Sequence, residues 1–366
     1  MENYITKMKD FYSFKPDARI VQEEFGFYSI DKWRRDGFLD YNTDINELFG
    51  YDPNAKLMLW RTGGITAPFL PGFEEKVLED RGDHELVSDY AGRKVLYFKG
   101  RRDGFMPEYV DHPVKDMETW QKLKWRLNPE TPGRFDSMDE AMAPYIQGTK
   151  DGFIICQHVI GGYMYLRSLI GPLELLYKFH DEPELIHDIM QTWFAMADKV
   201  TAEHQKYVTL DEIYTGEDIC YKQGLLISPD MVREFLFPYY QQLLANIKRR
   251  QLDKNRKFFL QVDTDGNCFD AIDLYKGVGM NYMSPFEVAA GCDVVEIRKK
   301  YPDLLMRGGI DKRILAESKD AIDREIERIM PFMVKHGGYI PTCDHGVPEE
   351  VPFENYMHYR KRMLEF

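Results

Sequence analysis

The stretch "KFFLQVDTDGN", residues 257–267, runs from apolar and aromatic side chains into two carboxylates, Asp263 and Asp265. If a strand continues through both, their side chains face the same way, because side chains repeat every second residue. Two converging carboxylates suit a divalent metal or a pair sharing a proton. Asp265 taken alone also suits a turn or helix cap, as does Asn267. A calcium loop is excluded by spacing: Cys268 and Leu274 stand where an EF-hand needs Gly and Glu. His345, in "PTCDHGVP", can serve as metal ligand, proton donor or substrate partner. Glu217, in "LDEIYTGED", and Glu287, in "MNYMSPFE", add two more carboxylates in similar settings.

A second set of residues suits binding. Trp60, His158 and Tyr163, with Tyr165, Tyr214, Tyr221, Tyr282 and Phe286, make an aromatic lining that would take an apolar, aryl or quaternary-ammonium ligand. Arg61 follows Trp60 directly and offers a cation. Each aromatic taken singly also fits plain core packing. The five cysteines show no CxxC spacing, which argues against a structural zinc site and for small buried thiols.

The elements that must position these residues follow a rhythm. From residue 152 onward six strand-then-helix units succeed one another, beginning at "GFIICQ", "LDEIYTGED", "KFFLQVD", "MNYMSPFE", "LLMRGGID" and "GYIPTCDHG". Such alternation implies a parallel sheet. The buried strand "KLMLWRT" (56–62) and one further unit bring the count to eight. The sequence thus predicts an α/β fold, a (β/α)8 TIM barrel read as one domain over residues 1–366. Residues 1–56 form a helical cap that includes "DARIVQEEFGFYSIDKWRRDGF". Residues 76–99 form a small β-meander insertion, and "DMETWQKLKWRL" is a helix capped by its Asp. In such a barrel the active site lies at the C-terminal strand ends. Those ends are rich in polar groups: Trp60 to Thr62, Gln157 and His158, Glu217 and Asp218, Asp263 and Asp265, Ser284 and Glu287, Arg307 and Asp311, and Cys343 to His345. No GxGxxG or GxxxxGK[ST] follows a strand, which weakens dinucleotide and P-loop readings.

Composition narrows the function class. The chain has 366 residues and a formal net charge of −13, which argues against a partner such as nucleic acid. No apolar run is long enough to span a bilayer, and "MENYITKMKDFYSF" lacks the apolar core of a signal peptide. The expected location is the cytoplasm, with no membrane partner. The oligomeric state is left open, a homodimer included.

The segments "EIYTGEDICYKQGLLISPDMVREFLFPYY", "QVDTDGN", "MSPFEVAAGCDVVEIRKKYPDLLMRGGIDKRIL" and "GGYIPTCDHGVPEEVPFENY" resemble the uroporphyrinogen decarboxylase superfamily, over nearly everything from residue 150 to 366. The resemblance implies a (β/α)8 barrel and one of two chemistries. One is cofactor-free decarboxylation. The arginine-bearing N-terminal motif of the heme-pathway enzyme is absent here, which disfavours that enzyme itself. The other is methyl transfer to a cobalamin carried on a partner corrinoid protein, with zinc activating the substrate. In that branch zinc sits on His-x-Cys and Cys-Gly positions, which here are Asp263, Asp265 and His345. The resemblance therefore implies tentative zinc held by Glu217, Asp263 and His345. It assigns catalytic roles to His345 and Asp265. Trp60, Arg61, His158, Tyr163 and Glu287 would bind a small O- or N-methyl substrate such as a methoxylated aromatic. The alternative is a decarboxylase in which Arg61 and Arg307 grip carboxylates and His345 donates a proton.

Overall fold

The computed structural model describes residues 3–100 and 107–366. The chain divides into two compact units, one made of Met1–Lys56, Cys220–Leu226 and Phe259–Phe366, the other of Leu57–Ile219 and Ile227–Phe258.

In the first unit four strands, Phe259–Asp263, Tyr282–Ser284, Leu305–Arg307 and Tyr339–Ile340, lie side by side in chain order. All three pairings are parallel, with Asp263 opposite Ser284 and Arg307 opposite Ile340. Helices Phe269–Lys276, Val294–Lys300 and Lys319–His336 follow the first three strands, and Phe353–Met363 closes the chain. The helix starts are written in the sequence. Asp293 accepts the amides of Val295 and Glu296 at 2.9 and 3.0 Å, and Ser318 accepts that of Ala321 at 3.2 Å. The N-terminal segment supplies helices Tyr4–Tyr12, Ile30–Arg35 and Ile45–Phe49, the last ended by Gly50 in the left-handed region.

In the second unit Ile154–Ile160 pairs in parallel with Glu212–Gly216, and Lys56–Leu59 flanks it. All seven residues of Ile154–Ile160 are buried, as expected of a parallel strand covered on both faces. In the chain between Lys56–Leu59 and Ile154–Ile160 comes an antiparallel sheet of Lys76–Arg81, His84–Ser88, Lys94–Phe98 and Glu108–Asp111. It is the expected meander with one more strand. Asp116 caps helix Met117–Leu123 in a reciprocal capping box with Thr119.

Three expectations need correction. The described residues hold seven strands of the β/α alternation, three in one unit and four in the other, and the eighth is not among them. Residues 17–29 hold no helix; helix begins only at Ile30. Helix Met138–Asp151 was not expected, because Pro144 and Gly148 interrupt its pattern. At Gly148 a Cβ would stand 2.2 Å from Leu57 Cδ1, so a larger residue there would displace the Leu57 side chain.

Candidate functional site

In the first unit the strand Phe259–Asp263 stops at Asp263, so the two aspartates do not share a continuous strand. The Asp263 carboxylate accepts a short hydrogen bond from the Ser284 hydroxyl on the neighbouring strand, and Ser284 in turn accepts from Gln261 at 2.8 Å. Arg307, one strand further, pairs with Glu23. Burial opposes its charge, but Glu23 first and Asp263 also hold the guanidinium above its ordinary pKa. Arg307 is therefore a braced structural cation.

The chain then turns at Gly266, which has φ +82° and passes so close to Tyr221 that a Cβ would meet its carbonyl oxygen at 2.7 Å. Asn267, not Asp265, makes the turn into the next helix, accepting the amide of Phe269 at 3.2 Å. Glu287 braces this loop from the side by accepting the Gly266 amide at 2.9 Å. Asp265 projects toward His345: its Oδ2 lies 3.8 Å from His345 Nε2, with both side chains partly exposed. That exceeds a direct hydrogen bond. The amide of Gly346 donates to His345 Nδ1 at 2.8 Å. A neutral His345 accordingly carries its proton on Nε2, the nitrogen facing Asp265. Phe25 lies 4.8 Å from the imidazole centroid, and Tyr28 stacks parallel to it at 5.9 Å. These two aromatics were missed in the sequence, although the run "EEFGFYS" (23–29) of acids and aromatics is the signal that marks them.

The cap is tied down by Glu24, which accepts the Cys343 amide at 2.7 Å and the Tyr356 hydroxyl at 3.0 Å. Burial raises its pKa. Asp344 is fully buried, accepts the Val288 amide at 2.9 Å and pairs with Lys312.

In the second unit Glu217 is fully buried. Its Oε1 accepts the amide of Tyr163 at 2.9 Å and its Oε2 the Tyr240 hydroxyl, which is itself the acceptor for the Gly162 amide at 2.6 Å. Glu217 thus fixes the start of helix Gly162–Ile170. Trp60 stacks on His158 at 4.3 Å and 23°, and Tyr214 lies 5.4 Å from the same imidazole. Half of Trp60 is exposed, while His158 is buried and its Nδ1 has no hydrogen-bond partner among the described residues. Arg61 donates to the Arg134 carbonyl at 2.8 Å. Strain collects at these strand ends: Arg61, Asp218 and, in the first unit, Phe286 have φ of 96°, 46° and 62°.

Burial pushes the imidazoles of His158 and His204 down to about 4, with the Arg61 charge adding to the effect on His204. The unfolded chain takes up these protons near pH 6.5, the folded one only near 4. Stability is full above pH 6.5 and falls as the pH drops toward 4, by up to roughly 1.4 kcal/mol per pH unit for each residue. Urea midpoints measured across that window are expected to fall, and to fall less steeply in His204→Gln. A midpoint flat from 6.5 to 4.5 would contradict the assignment.

The expected residues therefore sort into groups. Asp265 and His345 stand together, as do Trp60 and His158, and Tyr163 and Glu217. Asp263 and Glu287 serve bonds within the first unit. Among the described residues no group of three or more His, Cys, Asp and Glu side chains is placed to hold a metal ion. With both Glu217 oxygens bonded and Asp263 bonded to Ser284, the set expected for zinc does not fit this arrangement.

Comparison with known proteins adds the lineage. The profile of the family described as "Uroporphyrinogen decarboxylase (URO-D)" matches residues 96–365, well over half of the chain. The chain belongs to the uroporphyrinogen decarboxylase family. The uroporphyrinogen decarboxylase of Geobacter metallireducens is 24% identical over 171 residues, 46% of this chain and 47% of that protein. That of Geobacter sulfurreducens is 22% identical over 273 residues, 71% of this chain and 73% of that protein. The first match spans about half the relative's length. A solved structure described as a methyltransferase from Methanosarcina mazei superposes with a TM-score of 0.58 at 14% identity, covering 100% of this chain and 99% of that one. At that identity the likeness establishes the fold. No helix among the described residues is long and apolar enough to cross a membrane.

Proposed function

We propose that this chain is a methyltransferase of the uroporphyrinogen decarboxylase family. It would remove the methyl group of a small O- or N-methyl substrate, such as a methoxylated aromatic, and deliver it to a corrinoid protein. The observation that carries this reading is the Asp265–His345 pair, flanked by the rings of Phe25 and Tyr28. An imidazole held with its proton on Nε2 can donate to a departing phenolate or amine. Asp265 stands on the Nε2 side of the ring, the side from which that proton is delivered. The rings of Phe25 and Tyr28 suit an aryl substrate. Cobalamin on the partner would supply the nucleophile that takes the methyl group. The fold shared with the Methanosarcina methyltransferase is compatible with this reading.

The decarboxylase alternative asks Arg61 and Arg307 to grip carboxylates. Arg307 is paired with Glu23, and Arg61 with the Arg134 carbonyl.

The test is a panel of methoxylated aromatics with and without reduced corrinoid protein. Phenol release that requires the corrinoid is expected. Carbon dioxide release from a carboxylate panel without corrinoid would overturn the proposal in favour of the lyase.

A further inference from the structure

We propose that Cys268 and Cys292 form an oxidation site, at which a peroxide closes the two thiols into a disulfide that ties the loop carrying Asp265 to the turn after Glu287.

The two sulfurs lie 3.5 Å apart, both buried. Both cysteines are reduced, and forming the bond needs an approach to about 2.05 Å, a closure of roughly 1.5 Å. The backbones on either side are already braced. Glu287 accepts the Gly266 amide at 2.9 Å, and Asn267 Nδ2 donates to the Ala290 carbonyl at 3.1 Å. Cys268 opens helix Phe269–Lys276, and Cys292 follows the short turn Val288–Ala290, so both side chains stand at element ends where small rotations suffice. The Cys268 amide points at the Cys292 sulfur from 3.5 Å, which favours a thiolate on Cys292. The bond to Cys292, and burial after it, push the Cys268 thiol up, while the same bond lowers Cys292.

The chemistry then runs in two steps. The Cys292 thiolate attacks a peroxide oxygen; the O–O bond breaks, the remaining oxygen leaves as hydroxide, and Cys292 becomes a sulfenic acid. The Cys268 sulfur attacks the Cys292 sulfur; the S–O bond breaks, and hydroxide leaves as water with the proton from Cys268. One hydrogen peroxide is reduced to two waters, and two thiols are oxidised to one disulfide. Because both groups are buried, the reaction proceeds through local opening and admits small oxidants in preference to large ones.

The test treats the full chain with hydrogen peroxide, then denatures, alkylates and digests it with trypsin without reductant. Cys268 is the only cysteine of tryptic peptide 258–276, and Cys292 of 277–298. The expected result is loss of two of the five thiols, a disulfide joining these two peptides, and recovery of both thiols with dithiothreitol. In Cys268→Ser the sulfenic acid on Cys292 is expected to accumulate and be trapped by dimedone. Five intact thiols in the wild-type chain after peroxide, or losses that fall on Cys156, Cys220 or Cys343, would overturn the site. The readout is covalent, so it stands or falls independently of the methyl-transfer reading.

Discussion

His345→Ala is expected to lower kcat/KM for methyl removal by about 10²–10⁴-fold, the range for loss of a positioned general acid. The substitution removes the imidazole whose Nε2 proton the proposed chemistry delivers. The fold should tolerate it, because the side chain is partly exposed and its Nδ1 bond is to the adjacent Gly346 amide. Asp265→Asn keeps shape and removes charge. It is expected to cost less, roughly tenfold, because Asp265 acts on the chemistry only through the imidazole it faces. Steady-state rates of phenol release over a pH series measure both. A His345→Ala enzyme within threefold of wild type would remove His345 from the chemistry.

Arg298→Ala is expected to be the most destabilising single change in the first unit, by about 3–5 kcal/mol. Arg298 is only 1% exposed, yet it faces carbonyls: Nη1 donates to Pro302 and Leu304 at 3.0 and 2.8 Å, and Nη2 to Gly338 at 2.8 Å. Burial pushes its pKa down to about 10. Truncation strands two buried acceptors, the Leu304 and Gly338 carbonyls, and the partly buried Pro302 carbonyl, around the crossing from helix Val294–Lys300 to strand Leu305–Arg307. Lys restores the charge but not the planar fork, so Arg298→Lys should recover part of the loss. Urea unfolding of the three proteins checks the order. An alanine variant within 1 kcal/mol of wild type would refute this account.

These two residues also show what a sequence displays and what it hides. The alternation after residue 152 was legible because Gly, Pro, Asp and Ser punctuate it at turns and caps, as Asp293 and Ser318 do. His345 and Asp265 were legible because strand ends are where a β/α architecture exposes polar groups. Their pairing was half legible. The expectation joined His345 to Asp263, but the strand ends at Asp263 and the next two residues turn away, so Asp265 reaches the imidazole instead. Residues 17–29 read as helix because acids and apolar residues alternate at helical spacing. There the carboxylates are used elsewhere: Glu23 on Arg307 and Glu24 on the Cys343 amide. Long-range bonds of this kind override local propensity and leave no local trace. Glu217 is the sharpest case. A buried carboxylate at a strand end reads as a ligand until the amide of Tyr163 and the hydroxyl of Tyr240 are seen to occupy both oxygens.

One substrate decides between the two chemistries of the family: a methoxylated aromatic acid labelled with carbon-13 in both its methoxyl and its carboxyl group, offered with reduced corrinoid. Methyl transfer predicts label on cobalt, with the carboxyl label retained in the released phenol. Labelled carbon dioxide with the methoxyl intact would contradict it.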